Sequence, residues 1–253
     1  MVRKIYSDTY KINNKKYVKI TRNNLLIFDA LMNDGGHIPK YHDHKKNYKY
    51  SEHFGMLDIC GKTVDKIIIS NKTNRLDKFD NSILLPGDVQ SALEYEYIFH
   101  THPPSPNPGS RANDGILYEF PSINDIFHFL EHYNEGETVG SIIISPEGIY
   151  IIIPTTKEKP IKYEITNKLI KNMTKDVLHI QELAIEKYGL KFNLDTYFKN
   201  IAQDHTFLKL YNKLLEKYLG KKTIKILWKP RIYDEKIKEW VIPPFYLPIF
   251  GNK

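Results

Sequence analysis

The sequence predicts an α/β fold, a mixed sheet flanked by helices, with a helical C-terminal extension. Two patterns support this prediction. Up to residue 156, short runs rich in isoleucine, tyrosine and phenylalanine alternate with segments of helical spacing. From residue 157 onward, lysines and apolar residues alternate at helical spacing over long stretches. We therefore divide the chain into a domain at 1–156 and an extension at 157–253.

In the first hundred residues, the clearest strand is YEYIFHTH at 95–102, because aromatic and β-branched residues alternate along it. The isoleucine run KIIIS at 66–70 predicts a second strand for the same reason. The other elements predicted here are a strand running into a helix at 17–32, a polar loop at 33–51, a compact apolar stretch at 52–62, a short strand at 82–85 and one or two helical turns at 88–94.

After residue 102, four prolines and two glycines in PPSPNPGSRANDG exclude regular structure. A helix is then predicted from Ser122, because serine is a favoured N-cap and Asp125 falls in the first turn. The elements predicted after this helix are a hairpin at 140–154, helices at 164–187 and 195–219, a strand at 222–228 and an apolar tail at 240–250 that docks on its own domain or on another chain.

Composition narrows the class of protein. The net charge of +7 comes mostly from scattered lysines, and no motif typical of nucleic-acid recognition is present, so we expect no specific nucleic-acid partner. No apolar run approaches the roughly 20 residues of a membrane span, and no membrane association is expected. The single cysteine, Cys60, fits a reducing compartment. These features predict an intracellular protein of the cytoplasm or nucleus.

Two histidines close the strand at 95–102, in the segment FHTHPPSPNPG. Side chains two apart on a strand project from one face, so His100 and His102 can bind the same ion. A catalytic zinc takes three protein ligands and keeps an open position. The third ligand must come from another element, and Asp125 in the first turn of the next helix is well placed to supply it.

The combined pattern resembles the JAMM, or MPN-plus, metalloproteases. Their motif is a distant glutamate, then His-x-His-Pro, then Ser-x-x-Asp opening a helix. Here the matching residues are Glu52, His100-Thr101-His102-Pro103 and Ser122-Ile123-Asn124-Asp125. The stretch EHFGMLDICGK is similar to the family's frame around the glutamate, with Gly55, Leu57 and Gly61 in place. The resemblance covers residues 17 to 156.

This resemblance implies an MPN fold, similar to that of cytidine deaminases, and a zinc-dependent isopeptidase or peptidase. His100, His102 and Asp125 would hold Zn²⁺, Glu52 would act as general base for a zinc-activated water, and Ser122 would hydrogen-bond the oxyanion. The usual substrates are conjugates of ubiquitin or a ubiquitin-like protein, which makes a deubiquitinase the leading prediction. The C-terminal extension is a candidate surface for a protein partner.

One spacing departs from the family pattern. Nineteen residues separate His102 from Ser122, where the family has seven. Ser110 sits at the family spacing, but its ligand position is then Asn113, with Asp114 one residue late. We favour Ser122 and Asp125, because the predicted helix begins there. Residues 103–121 are then an insertion at the mouth of the site that gates it, binds a partner or plugs it.

Two alternatives from other classes stay open. The segment His128-Phe129-Leu130-Glu131-His132 fits the inverted-zincin motif His-x-x-Glu-His, although the predicted apolar face of the helix would turn these polar residues outward. The chain could instead be a catalytically inactive MPN-like scaffold or a virion component, with the insertion closing the site. The Lys, Asn and Ile bias suits a large DNA virus or an AT-rich parasite, and a viral protein would act in the host cytoplasm or the virion.

Overall fold

A computed structural model describes residues 16–37, 39–42, 48–50, 52–60, 62–69, 93–102, 107–156 and 158–249 of the chain. The predicted strand at 82–85 and most of the predicted turns at 88–94 lie outside these residues. The helices are α1 (Arg22–His37), α2 (Ile123–Glu135), α3 (Asn167–Tyr188) and α4 (Thr206–Leu219), with short helical segments at Ala112–Asp114, Leu194–Thr196 and Tyr197–Ile201.

Twelve strands lie within the described part of the chain. They are β1 (Lys16–Ile20), β2 (Pro39–His42), β3 (Tyr48–Tyr50), β4 (Phe54–Cys60), β5 (Thr63–Ile69), β6 (Tyr97–Thr101), β7 (Gly140–Ser145), β8 (Gly148–Pro154), β9 (Ile224–Pro230), β10 (Ile232–Asp234), β11 (Glu239–Val241) and β12 (Phe245–Ile249). Eight of them form one mixed sheet in the order β12-β1-β5-β4-β6-β7-β8-β9. The pairs β1–β5 and β6–β7 are parallel and the other neighbours are antiparallel. The α/β class predicted from the sequence is therefore confirmed.

Both faces of the sheet are covered at β6, β7 and β8, which explains why every residue of these three strands is buried. On β7, Ile142 and Ile144 belong to one core cluster and Ile143 belongs to the other. Helix α1 packs on the first face through Leu25 and Phe28. Helices α2, α3 and α4 cover the second face and form the larger cluster.

Two sequence predictions about local structure are wrong. The polar loop expected at 33–51 begins as the last turn of α1, and it also contains the hairpin of β2 and β3. The helix expected at 195–219 is interrupted after Ile201, and α4 begins at Thr206. Near this restart, the Asp204 carboxylate accepts a hydrogen bond of 2.9 Å from the Thr206 N–H. Such a side-chain bond to the backbone competes with a continuous helix.

The segment after residue 156 supplies both edges of the large sheet. Strand β9 pairs with β8 along seven residues, from Gly148↔Pro230 to Pro154↔Ile224. Strand β12, from the apolar tail, pairs with β1 at the opposite edge. The tail therefore docks on its own chain, one of the two outcomes that its apolar sequence left open. Among the helices that the structure describes, none combines the length and apolar character needed to cross a membrane.

Candidate metal centre

Strand β6 lies between β4 and β7, and all five of its residues are buried. The parallel pairing with β7 continues past the end of the strand, where the His102 N–H donates to the Ile144 carbonyl at 2.7 Å. This bond keeps His102 in line with His100. The Nε2 atoms of the two imidazoles lie 3.0 Å apart, so the strand presents both rings to one point.

Helix α2 presents the third side chain from its first turn. The Ser122 hydroxyl accepts a hydrogen bond of 3.1 Å from the Asp125 N–H, and Asp125 Oδ2 accepts one of 2.6 Å from the Ser122 N–H. This reciprocal arrangement is a capping box. It fixes the Asp125 carboxylate at the helix N-terminus, where the helix dipole favours a negative charge.

The three side chains His100, His102 and Asp125 form the metal cluster. The Nε2 of His100 lies 3.2 Å from Asp125 Oδ1, and the Nε2 of His102 lies 3.4 Å from Asp125 Oδ2. Among the described residues, this is the one group of three or more histidine, cysteine or acidic side chains whose ligand atoms all lie within 4.8 Å of one another. The atoms come from two elements that are distant in sequence.

This donor set fits a zinc ion. Ligands 2.0–2.1 Å from a tetrahedral zinc lie roughly 3.3 Å from one another, close to the separations observed here. Two imidazoles and one carboxylate also leave a fourth position open, as a catalytic site requires. The separations within the metal cluster are therefore close to those that a bound divalent ion requires.

The cluster shifts the pKa values of its members in opposite directions. Burial lowers the pKa of His102, but the hydrogen bond and charge of Asp125, with smaller contributions from Glu52 and Glu119, raise it to about 9. Burial raises the pKa of Asp125, but His100 and His102 hold it well below its usual range. Asp125 is thus ionised at neutral pH and His102 holds a proton that a metal ion must displace.

The predicted base, Glu52, lies across from His102. Strand β4 runs antiparallel to β6 with Phe54 opposite His100, and beyond this pair the Thr101 N–H donates to the His53 carbonyl at 3.0 Å. Continuing the register by one residue places Glu52 opposite His102. The charge of Glu52 raises the pKa of His102, consistent with this proximity. The structure thus brings Glu52 to the metal cluster from a strand nearly fifty residues upstream.

Packing explains one glycine of the family-like motif frame that follows Glu52. Gly55 lies on β4, and a Cβ atom there would collide with the Ile68 carbonyl and the Phe99 ring. Leu57 is fully buried in the core beneath β4. Gly61 lies outside the described residues.

Sequence reasoning missed two neighbours of the metal cluster. The Phe54 ring stacks on His100, with ring centroids 5.3 Å apart. Glu119, almost fully buried, raises the pKa of His102 through its charge. The antiparallel pairing of β4 with β6 would have revealed Phe54, whereas Glu119 lies in the proline-rich insertion, where no periodicity points to it.

The alternative ligands in the insertion do not join the metal cluster. Ser110, Asn113 and Asp114 are exposed, and Asn113 and Asp114 belong to the short helical segment Ala112–Asp114. That segment ends at Gly115 in the left-handed conformation. The structure therefore places Asp125 against the two imidazoles, despite the unusual spacing.

The described part of the insertion, residues 107–121, is built into the core beside the C-terminal helices. Gln181 of α3 accepts hydrogen bonds from the N–H groups of Leu117 and Tyr118 at 3.0 and 3.1 Å, and donates to the Tyr118 carbonyl at 2.7 Å. The Tyr211 hydroxyl of α4 donates to the Pro121 carbonyl at 2.7 Å. The insertion thus fixes the approach to the first turn of α2.

A second cluster of ionisable groups anchors the same insertion. It consists of Arg111, Glu119 and Glu147, and we call it the acid cluster. Glu119 pairs with Arg111 through two hydrogen bonds. The fully buried Glu147 accepts hydrogen bonds from the Glu119 N–H at 2.6 Å and the Tyr150 hydroxyl at 2.8 Å, and Tyr197 approaches it at 3.3 Å. Burial, and then the charge of Glu119, raise the pKa of Glu147 to about 8, although these hydrogen bonds oppose the shift.

The inverted-zincin residues do not form a three-ligand group. Glu131 is exposed, and it is absent from the ligand cluster found among the described residues. The expectation that His128 and His132 point outward is wrong: His132 is buried and His128 is half-buried. The reason is that α2 contacts both β7 and α3, so more than one of its faces is covered.

No protein-family model matches the chain, and no solved structure matches it. The chain is 35% identical over 248 residues to an uncharacterised protein, R413, of Acanthamoeba polyphaga mimivirus. The alignment covers 95% of this chain and 68% of R413. The chain belongs to the R413 family. This relationship adds a viral relative, while the resemblance to JAMM proteases stays a prediction from the motifs.

Proposed function

We propose that the protein is a zinc-dependent isopeptidase or peptidase with a JAMM-type centre on an MPN-type sheet. The observation that carries this proposal is the convergence of His100, His102 and Asp125 with Glu52 opposite His102. The four side chains come from three separate elements, and their order along the chain is that of the motif.

The residues of the metal cluster would hold the ion through the two Nε2 atoms and one oxygen of Asp125. A zinc ion supplies a Lewis acid that lowers the pKa of water to about 7. The backbone bonds of Ser122 and His102 keep these ligands in place, and Phe54 covers one face of the His100 ring.

Two further residues carry the proton and the developing charge. The Glu52 carboxylate takes a proton from the attacking water and passes it to the leaving amine. The Ser122 side-chain oxygen accepts from the Asp125 N–H, so its own O–H is free to donate to the oxyanion. Ser122 is exposed, and a substrate carbonyl can reach it.

We further propose that the substrates are proteins conjugated to ubiquitin or a ubiquitin-like modifier. Such conjugates occur inside cells, and the family includes a viral protein. We therefore assign the activity to the cytoplasm or nucleus, which for a viral protein is that of the host.

The test is cleavage of a panel of ubiquitin dimers and a fluorogenic peptide by zinc-loaded protein. We expect Glu52→Gln to lower the rate by about 100- to 10,000-fold, because it removes the general base. The same variant should still bind zinc. Glu131→Gln is the matched control, since it removes an exposed carboxylate from α2, and it should leave the rate unchanged.

Three other outcomes would contradict the proposal. Zinc-loaded protein that cleaves no member of the panel contradicts the assignment to ubiquitin conjugates and favours a non-catalytic scaffold. Loss of activity in Glu131→Gln but not in Glu52→Gln assigns the chemistry to the inverted-zincin motif. Activity that survives complete removal of the metal by a chelator excludes a metallopeptidase.

A further inference from the structure

Helix α2 carries a second pair of histidines beyond the metal cluster. His128 and His132 are four residues apart, so they lie on the same face of the helix in successive turns. Their ring centroids are 4.5 Å apart and the rings are tilted by 52°. Histidines with this spacing on a helix can bind one zinc ion.

The buried member of the pair has an unexplained polar atom. His132 is only 4% exposed, and its Nδ1 is buried without a hydrogen-bond partner among the described residues. Buried polar atoms are nearly always satisfied, and an exception calls for an unseen water or ion. The neighbouring ring of His128 contacts His132 and is only half-buried, so the histidine pair reaches solvent through His128.

The two rings are also in the state that binds a metal. Burial lowers the pKa of His128 to about 3, helped by the charges of His132 and His100. Burial likewise lowers the pKa of His132. Both imidazoles are therefore neutral at pH 7, with a lone pair available on each ring.

We propose that His128 and His132 form a second binding site for a borderline divalent cation such as Zn²⁺, Co²⁺ or Ni²⁺. Ring nitrogens that share a tetrahedral ion lie roughly 3.3 Å apart, a separation that rings with these centroids can reach. Two protein ligands bind more weakly than three, so this site fills after the metal cluster. Glu135, whose charge acts on His132, is one turn away and can face the ion directly or through water.

The site would stabilise the helix that presents Asp125. An ion shared by His128 and His132 links the second and third turns of α2, while Asp125 occupies the first. Binding here stabilises the folded state by mass action, independently of any peptidase activity. The proposal does not depend on the function proposed above.

The test is zinc stoichiometry, measured by equilibrium dialysis and elemental analysis of the full chain. We expect wild type to bind two equivalents of zinc. The His128→Ala and His100→Ala variants should each bind one equivalent less, and the double variant should bind two equivalents less. His179→Ala is the control, because His179 is an exposed helical histidine beside Glu182. It should retain the wild-type stoichiometry.

Thermal unfolding supplies a second readout. In the His100→Ala background, added Zn²⁺ should raise the melting temperature, and the further change His128→Ala should remove that rise. If His128→Ala does not fold, nitrogen NMR of labelled histidines in wild type replaces it: the His132 Nδ1 resonance must shift as the weaker equivalent binds. An unchanged stoichiometry in folded His128→Ala, or an unmoved His132 signal, overturns the proposal.

Discussion

Two neighbouring clusters of buried ionisable groups are built in opposite ways. In the acid cluster, each carboxylate faces hydrogen-bond donors: Arg111 for Glu119, and a backbone N–H and the Tyr150 hydroxyl for Glu147. In the metal cluster, three groups that can each act as a ligand face one another at 3.0 to 3.4 Å. Without a metal, His102 carries a proton and hydrogen-bonds to the Asp125 carboxylate.

A structural cluster and a binding site can both be buried and ionisable, and hydrogen-bond donors distinguish them here. Donors supplied by the chain complete the acid cluster, so it needs no ligand to be stable. The metal cluster directs ligand atoms toward a common point that a cation can complete. The arrangement of donors and acceptors therefore separates the two clusters, since both are buried.

The largest difference should appear in zinc affinity. His102→Ala removes one of the three ligands of the metal cluster and should weaken zinc binding there by more than about 100-fold. Residues that only hydrogen-bond to a metal ligand typically cost about 10- to 100-fold when they are replaced. Glu147→Gln, in the acid cluster, should leave the affinity within a few-fold of wild type. Competition with a chromogenic chelator measures both. Equal losses in the two variants would mean that the acid cluster also contributes to the metal site.

The second-largest difference between the two clusters should appear in the pH dependence of stability. The pKa of Glu147 is 4.5 in the unfolded chain and about 8 in the folded protein. Below pH 4.5 both states hold the proton and the full stability is present. As the pH rises from 4.5 to 8 the unfolded state alone releases it, and the metal-free protein loses stability, on the order of a few kcal/mol.

Glu147→Gln should remove that contribution, because the amide keeps an oxygen acceptor and cannot ionise. Urea unfolding at pH 5, 6.5 and 8 measures the slope, with exposed Glu182→Gln as the control. His102, whose folded pKa is about 9, adds its own loss between pH 6.5 and 9 in metal-free protein. An unchanged slope in Glu147→Gln between pH 5 and 6.5 would show that Glu147 ionises freely in the fold.

Breaking the ion pair of the acid cluster should have a smaller effect on the free energy of unfolding. Arg111→Ala leaves the buried Glu119 carboxylate without its partner and should cost about 2 kcal/mol, less than a fully buried pair because Arg111 is partly exposed. Lys199→Ala, which breaks an exposed pair with Asp195, should change the free energy of unfolding by less than about 0.5 kcal/mol. Equal costs for the two variants would contradict a structural role for the Arg111 pair.

The smallest effect concerns the helix cap shared with the metal cluster. Ser122→Ala removes an N-cap and should cost about 1 kcal/mol of stability. It should also weaken zinc binding several-fold, because the capping box holds Asp125. Thr166→Ala removes the equivalent cap of α3, where Thr166 accepts from the Leu169 N–H at 3.0 Å, and should cost similar stability with no change in zinc affinity. Matching affinities in the two variants would show that the cap does not position Asp125.

Much of this site could be predicted because its residues obey local rules. Period-two alternation on β6 fixed the common direction of His100 and His102, and the capping pattern fixed the start of α2 at Ser122. Those two rules identified Asp125 despite the insertion. Glu52 was identified only through the resemblance to the JAMM motif, since nothing local links β4 to β6.

The features that could not be predicted depend on tertiary contacts, and a local sequence pattern does not contain these contacts. Glu119 is buried with its charge paired to Arg111, and no periodicity in the insertion predicts that burial. The burial of His132 follows from the covering of α2 by both β7 and α3. At the interruption before α4, Asp204 hydrogen-bonds to the backbone within an otherwise helical pattern.

The pairing of β1 with β12, in which Lys16 lies opposite Ile249, has a consequence for synthesis on the ribosome. On its β12 side, the first strand has no partner until Phe245–Ile249 has been synthesised. A nascent chain therefore exposes an open sheet edge while the intervening elements are made, the condition under which strands from different molecules associate. Chaperone binding to newly made chains should persist until residue 249 has left the exit tunnel.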